Sequence, residues 1–223
     1  MDFSHTRFSL NRKLTSYSKV LWLISKVRRN NGFFFRQPPP GSYFNIGCGP
    51  NIQPGFVNVD SSWRPGVDLC WDISARLPVP DGSVGGVYTE HCLEHLPLAA
   101  AKAFLADCQR LLAPGGWLRI VVPGLEMYAR SYVATLDGVP ATMPNDHFVN
   151  RTGVNLPVAL INELFYGPDH RFIYDFRALS EVLRGAGFSE IARRSFRTGA
   201  DKRLLIDDEG HVSESLYVEA SKA

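Results

Sequence analysis

Three short strings in this 223-residue sequence bring together side chains able to hold a nucleoside. Gly47-Cys48-Gly49 closes the β-like run 43–47, and glycines at the carboxyl edge of a strand let backbone approach a ligand in open α/β sheets. The next run, 56–60, ends eleven residues after Gly49 in Asp60. A carboxylate there can accept hydrogen bonds from both ribose hydroxyls. A third run, 67–71, leads into Asp72-Ile73, a carboxylate for an adenine amino group with an apolar neighbour for the ring, although Asp at such a place serves equally well as a turn residue. A dinucleotide oxidoreductase fits less well. Ile52 occupies the third-glycine place of GxGxxG, and Asp60 arrives sooner than the roughly 20-residue spacing of such sites.

A second set of residues could move a proton or hold a metal. In His91-Cys92-Leu93-Glu94-His95 a helical turn would set both histidines on one face with Glu94 beside them, the order of an inverted zinc-protease helix. Pro97 opposes that geometry, because the residue before a proline avoids the helical region. Asp146-His147 and Asp169-His170 each place a carboxylate next to an imidazole, which titrates where a general base is useful. His170 is the first candidate for a catalytic base and His91 the second; a hydrogen-bonded structural histidine is the competing reading for both. Arg130 and Arg171 are candidates to hold an anionic group, with solvated surface arginines as the alternative.

These residues need a frame, and the chain punctuates itself accordingly. Further β-like runs lie at 84–89, 117–122, 191–196 and 215–220. Leu98, Ala101, Leu105, Cys108 and Leu112 recur at helical spacing, opened by Pro97 and stopped by Pro114-Gly115-Gly116. Residues 176–187 repeat the device, with Leu179, Val182 and Leu183 inward and Gly185-Ala186-Gly187 as the stop. Strands alternating with helices predict a mostly parallel sheet covered on both faces. Only six residues, 50–55, are available between the glycine loop and the second strand, fewer than a parallel crossover usually takes. Residues 124–170 show weak periodicity and read as a lid or acceptor loop.

Pro38-Pro39-Pro40-Gly41 divides the chain into an arm, 1–40, and a body, 41–223. Through Arg36 there are eight basic residues against Asp2 alone, leaving sixteen basic and twenty-one acidic residues in the remainder. Leu10, Leu14, Tyr17 and Leu21, with Val20, Ile24 and Val27, predict a basic amphipathic helix over 10–29 that packs on the body or touches an anionic membrane. Composition is that of a globular protein, and apolar runs are far shorter than the roughly 20 residues of a membrane span. The four cysteines match no metal or disulfide spacing, and no leader pattern opens the chain, so a reduced, cytoplasmic protein is expected.

Asn45-Ile46-Gly47-Cys48-Gly49, Val59-Asp60, Asp72-Ile73, the run 77–84 and Leu112-Ala113-Pro114-Gly115-Gly116-Trp117-Leu118 follow the order found in class I S-adenosylmethionine-dependent methyltransferases, which this chain resembles. The resemblance spans about 43–123; residues 183–188 and 216–220 are similar to that family's closing helix and antiparallel hairpin. It implies an α/β, Rossmann-like fold with a seven-stranded, mostly parallel sheet, a C-terminal antiparallel hairpin, a shortened first crossover and an N-terminal helical arm. It implies S-adenosylmethionine as cofactor, with Asn45, Gly47, Cys48 and Gly49 facing its methionine part, Asp60 the ribose, Asp72 and Ile73 the adenine, and Glu90 and His91 lining the pocket by the methyl group. The pentad 91–95 also resembles the E-x-x-E-H metal site of small-RNA 2′-O-methyltransferases, with His91 in place of the first acid; a divalent ion is an alternative here, and a metal-free site is favoured. The implied activity is O-methylation of a small molecule or saccharide, with a non-catalytic cofactor-binding subunit and a nucleic-acid methyltransferase as alternatives. The body's acidity weighs against the last.

Overall fold

The computed structural model describes residues 16–139, 144, 157–166 and 169–223, with the side chains of 16–18 left aside. Seven strands form one sheet: β1 (Ser42–Ile46), β2 (Phe56–Asp60), β3 (Leu69–Cys70), β4 (Val84–Glu90), β5 (Leu112–Pro123), β6 (Ser189–Arg194) and β7 (Ser215–Ser221). Their order is β3-β2-β1-β4-β5-β7-β6. The first five are parallel, and β7 runs antiparallel between β5 and β6. The chain leaves β1 toward one edge and returns at β4 to build toward the other, so the β1/β4 border is the switch point where such sheets open a crevice at their carboxyl ends.

Among the described residues five helices accompany the sheet: α1 (Ser16–Arg28), α2 (Leu98–Leu111), α3 (Leu125–Leu136), α4 (Pro157–Tyr166) and α5 (Phe176–Gly185). The predicted stripe of α2 is buried at Ala101, Leu105 and Cys108 and joined by Phe104 and Leu111. That helix ends one residue early, because Leu112 already turns extended and pairs with Val84. Asp175 caps α5 by accepting from the Ala178 N–H, and Leu179 and Leu183 enter the core with Phe44, Ile46, Val87 and Leu118. The third strand shrinks to two residues, since only Val59–Leu69 and Asp60–Cys70 pair.

One expectation needs correction. Residues 124–170 hold α3 and α4 rather than only an irregular loop. Their apolar residues Tyr128, Leu160 and Leu164 pack on one another in a side cluster instead of on the sheet. The arm helix is described from Ser16, and the part of its predicted span at 10–15 lies outside the described residues. Among the described residues no helix is long and apolar enough to cross a membrane.

The short first crossover is real, and buried amides lash it down. Asn45 and Asn58 face each other across β1 and β2 and are both 3% exposed. Asn45 Nδ2 donates to Asn51 O (2.8 Å) and Asn58 Oδ1 (3.1 Å), while Asn58 Oδ1 also takes the Gln53 N–H and its Nδ2 returns a bond to Gln53 O. A buried amide pair with its partners in place stabilises a tight loop that has no helix to do so.

Candidate active site

Everything the sequence assigns to a ligand at β1 and β2 gathers at one carboxyl edge. Gly47 has φ +72, and a Cβ there would come within 2.2 Å of Cys92 Sγ. The glycine is therefore required by the corner after β4 pressing on the loop. The N–H groups of Gly47 and Cys48 donate to Val59 O, while the Gly49 N–H donates to Asp60 Oδ2 (2.9 Å) and the Ser62 N–H to Asp60 Oδ1 (2.7 Å). Each Asp60 oxygen thus keeps an accepting lone pair after holding the loop. Asn45 is the buried strut already described. Asp72 closes a turn, its Oδ1 accepting from Ser74 N–H and Oγ–H, and Ile73 is buried beneath it in the core. Burial pushes the Cys48 thiol up to about 12.

Glu90 ends β4, with Oε1 accepting the Asp208 N–H (3.1 Å); burial raises its carboxyl. His91 follows at φ +45, and residues 93–95 form a single 3-10 turn that Leu96 leaves in an extended conformation. The helical face foreseen for His91 and His95 does not form, because Pro97 forces that exit. The rings nevertheless converge. His91 Nδ1, His95 Nε2 and His170 Nε2 lie 3.7, 3.8 and 3.9 Å from Glu94 Oε1. Glu94 is fully buried, neither carboxylate oxygen has a hydrogen bond among the described residues, and burial pushes its carboxyl up to about 8. His170 Nδ1 bonds to Leu164 O at 2.5 Å, so that nitrogen carries the proton and Nε2 presents its lone pair to Glu94. Burial also lowers the His170 pKa. Donor atoms of Glu94, His95 and His170 lie within 4.8 Å of one another, as do those of His91, His211 and Glu214.

The second of these groups is a carboxylate–imidazole pair that sequence reasoning missed. His211 Nδ1 bonds to Glu214 Oε1 at 2.8 Å, and Glu214 Oε2 accepts from Tyr128 Oη at 2.8 Å. The bond to Glu214 raises the His211 pKa against the effect of burial. Burial of Glu214 is outweighed by the bonds from His211 and Tyr128, which hold its carboxyl below the ordinary range. The His211 ring stacks on His91 with centroids 4.0 Å apart, and His91 Nε2 lies 2.9 Å from Ser215 Oγ. Burial, then the neighbouring His211, takes the His91 pKa down to about 3. His91 is thus a neutral platform under a more basic, part-exposed imidazole. The one mark of the pair in the sequence is the His211-x-x-Glu214 spacing; adjacent Asp-His pairs drew attention instead. Of those, Asp146-His147 lies outside the described residues, and Asp169 is at φ +65. Arg130 and Arg171 are exposed.

The loop that carries His211 is pinned to the sheet by Arg119 of β5. All five of its N–H groups are engaged: Nε and Nη2 with Asp207 (2.7 and 2.5 Å), Nη1 with Glu219 Oε1 and Thr198 O (3.1 Å each), and Nη2 also with Ser195 O (3.1 Å). Arg119, Asp207 and Glu219 are fully buried.

A glycine loop hydrogen-bonded to Asp60 at the switch point of a 3-2-1-4-5-7-6 sheet is the architecture of the class I methyltransferase fold. Residues 43–120 match the protein family described as "Methyltransferase domain". Two solved structures share the fold. A Thermotoga maritima methyltransferase, described as a possible histamine N-methyltransferase, is 19% identical with a TM-score of 0.50, covering 83% of this chain and 84% of its own. An Archaeoglobus fulgidus S-adenosylmethionine-dependent methyltransferase is 15% identical with a TM-score of 0.52, covering 81% and 85%. The comparison with curated proteins found no match.

Proposed function

We propose that this protein transfers the methyl group of S-adenosylmethionine to a hydroxyl of a small molecule or saccharide, with His211 as the base. The observation that carries this reading is the His211–Glu214 pair stacked on His91, in the region where Glu90 and His91 are expected to line the pocket by the methyl group. Transfer from a sulfonium is an in-line displacement and gains most from aligning the two reactants. A hydroxyl also has to lose its proton, which a carboxylate-oriented imidazole can take. Glu214 fixes the tautomer that leaves Nε2 available, and neutral His91 supports the ring. Gly47, Cys48 and Gly49 would face the methionine part, Asp60 the ribose hydroxyls, and Asp72 with Ile73 the adenine side; Asn45 would shape the loop without touching the ligand.

Calorimetric titration with S-adenosylmethionine and S-adenosylhomocysteine tests the cofactor site. Asp60→Ala is expected to weaken both by about 100-fold, the loss of charge-assisted hydrogen bonds to two hydroxyls. Unchanged affinity in that variant would remove Asp60 from the site. Tight binding without methyl transfer into any metabolite extract would instead favour a non-catalytic partner subunit.

Glu94, with three imidazoles around it and no hydrogen bond to either oxygen among the described residues, favours a second reading in which Glu94, His95 and His170 hold a divalent ion. A buried carboxylate without a hydrogen bond is costly, and a histidine that donates its other N–H to a backbone carbonyl, as His170 does, is oriented as metal ligands are. Two imidazoles and a carboxylate suit a first-row transition metal with open positions. Such an ion would supply charge to polarise an acceptor oxygen. Manganese or zinc at about 100 times its dissociation constant is expected to stabilise the protein by about 2.7 kcal/mol, and Glu94→Gln to abolish the effect. Equal stabilisation of both proteins would place the ion elsewhere.

A further inference from the structure

We infer that the outward face of α1 and the turn that follows it dock this protein on an anionic lipid surface. This rests on surface composition alone and is independent of the methyl-transfer reading. The helix is inverted relative to a helix on a soluble body, which turns its apolar side inward. Among its described side chains the most buried is Ser25, 4% exposed, whose Oγ bonds to Leu21 O and accepts the Trp63 N–H. Val20, Trp22, Leu23 and Val27 are instead 52–62% exposed. The 3-10 turn Gly32–Phe34, capped by Asn31, then holds out Phe33, 89% exposed, edge-on to Phe34. A phenylalanine kept in water on an ordered turn marks a surface made to be covered.

Charge selects what covers it. No acidic residue occurs between Asp2 and Asp60. Lys19, Lys26, Arg29 and Arg36 are exposed around the apolar residues, and Lys26 Nζ lies 3.8 Å from the Trp22 ring centroid. Lysines whose stems run along apolar neighbours, with an aromatic beside them, are the pattern of interfacial helices, where the cations meet anionic headgroups. A second copy of this face would bring like charges together and oppose association.

The placement also gives docking a consequence. Arg29 Nε donates to Ser61 O (2.6 Å), the Asn30 N–H to Cys70 O (3.1 Å), and Asn30 Oδ1 accepts the Asp72 N–H (2.8 Å). The docking helix thus ends on the loops after β2 and β3, the carboxyl edge that carries Asp60 and Asp72. A lipid surface on this face would border the candidate site, where an acceptor anchored in the lipid could reach it.

Co-sedimentation of the full chain with phosphatidylcholine vesicles, with and without phosphatidylglycerol, tests the inference. Binding is expected to require phosphatidylglycerol and to fall as salt rises. Phe33→Ser should weaken it about tenfold or more, through lost apolar burial, and the pair Lys19→Gln and Lys26→Gln about 30-fold, through two lost charges. These side chains are exposed, so melting temperatures and S-adenosylhomocysteine titrations should match the wild type, which separates loss of docking from loss of fold or cofactor site. No binding to anionic vesicles, or binding that the substitutions leave unchanged, would overturn the inference. So would a lipid-free dimer in sedimentation velocity that Phe33→Ser breaks, since it would assign the face to a second copy.

Discussion

Replacing Arg119 by methionine should cost about 3–5 kcal/mol of stability, because it removes one partner of a buried ionic network and leaves charge behind. Hydrogen bonds and charge from Asp207 and Glu219 outweigh the effect of burial and raise the guanidinium pKa above its ordinary value. The two carboxylates would not suffer equally. Glu219 keeps Arg194 Nε at 2.9 Å and the Ala200 N–H at 2.8 Å, whereas the Asp207 carboxylate keeps, among the described residues, only the Arg197 N–H at 2.7 Å. Most of the loss should therefore come from Asp207. Combining Arg119→Met with Asp207→Asn should recover part of it, a non-additivity that marks direct coupling. Arg119→Lys should be intermediate to severe, since an ammonium cannot reproduce the two-pronged contact. Urea denaturation at neutral pH reads all three. A loss below about 1 kcal/mol for Arg119→Met would show that the network is replaceable by packing.

The same residue shows where sequence reading ends. Strands β1, β2, β4 and β5 were legible because buried parallel strands are short apolar runs bounded by glycine, proline and aspartate. Asp60 was legible because it ends such a run. Arg119 lies inside one, at Trp117-Leu118-Arg119-Ile120-Val121, and nothing local says that Asp207 and Glu219 wait for it about 90 and 100 residues later. Helices α3 and α4 were missed for a related reason: they bury Tyr128, Leu160 and Leu164 against each other, so neither needs the broad apolar stripe of a helix packed on a sheet. The pentad 91–95 was noticed, but its meaning depended on His170, which only folding brings to Glu94. The shortened crossover was legible from residue count alone, but what holds it was not: the Asn45–Asn58 pair supplies the bonds that a helix normally provides.

Turnover measured with radiolabelled S-adenosylmethionine and a responsive acceptor extract should fall about 10²- to 10⁴-fold in His211→Ala, the usual contribution of a positioned base. The pH dependence separates that role from a structural one. Because Glu214 holds the His211 pKa above its ordinary value, wild-type activity should rise with pH through a midpoint higher than about 6.5 as the imidazole loses its proton. Glu214→Gln removes the charge but keeps a hydrogen-bonding oxygen. Its profile should shift down toward the ordinary histidine midpoint, with a lower plateau from poorer orientation. Stability carries the same signature. The raised His211 pKa contributes stability that is complete below the unfolded histidine value and lost as pH rises through the folded one; the lowered Glu214 pKa contributes stability present above the unfolded glutamate value and lost as pH falls through the folded one. The stability difference between wild type and Glu214→Gln should therefore peak between about pH 4.5 and 6.5 and shrink on either side. If the stability difference follows this course while the activity midpoint stays in place, the pair only fastens the loop, and the base must be sought at His170 or His91.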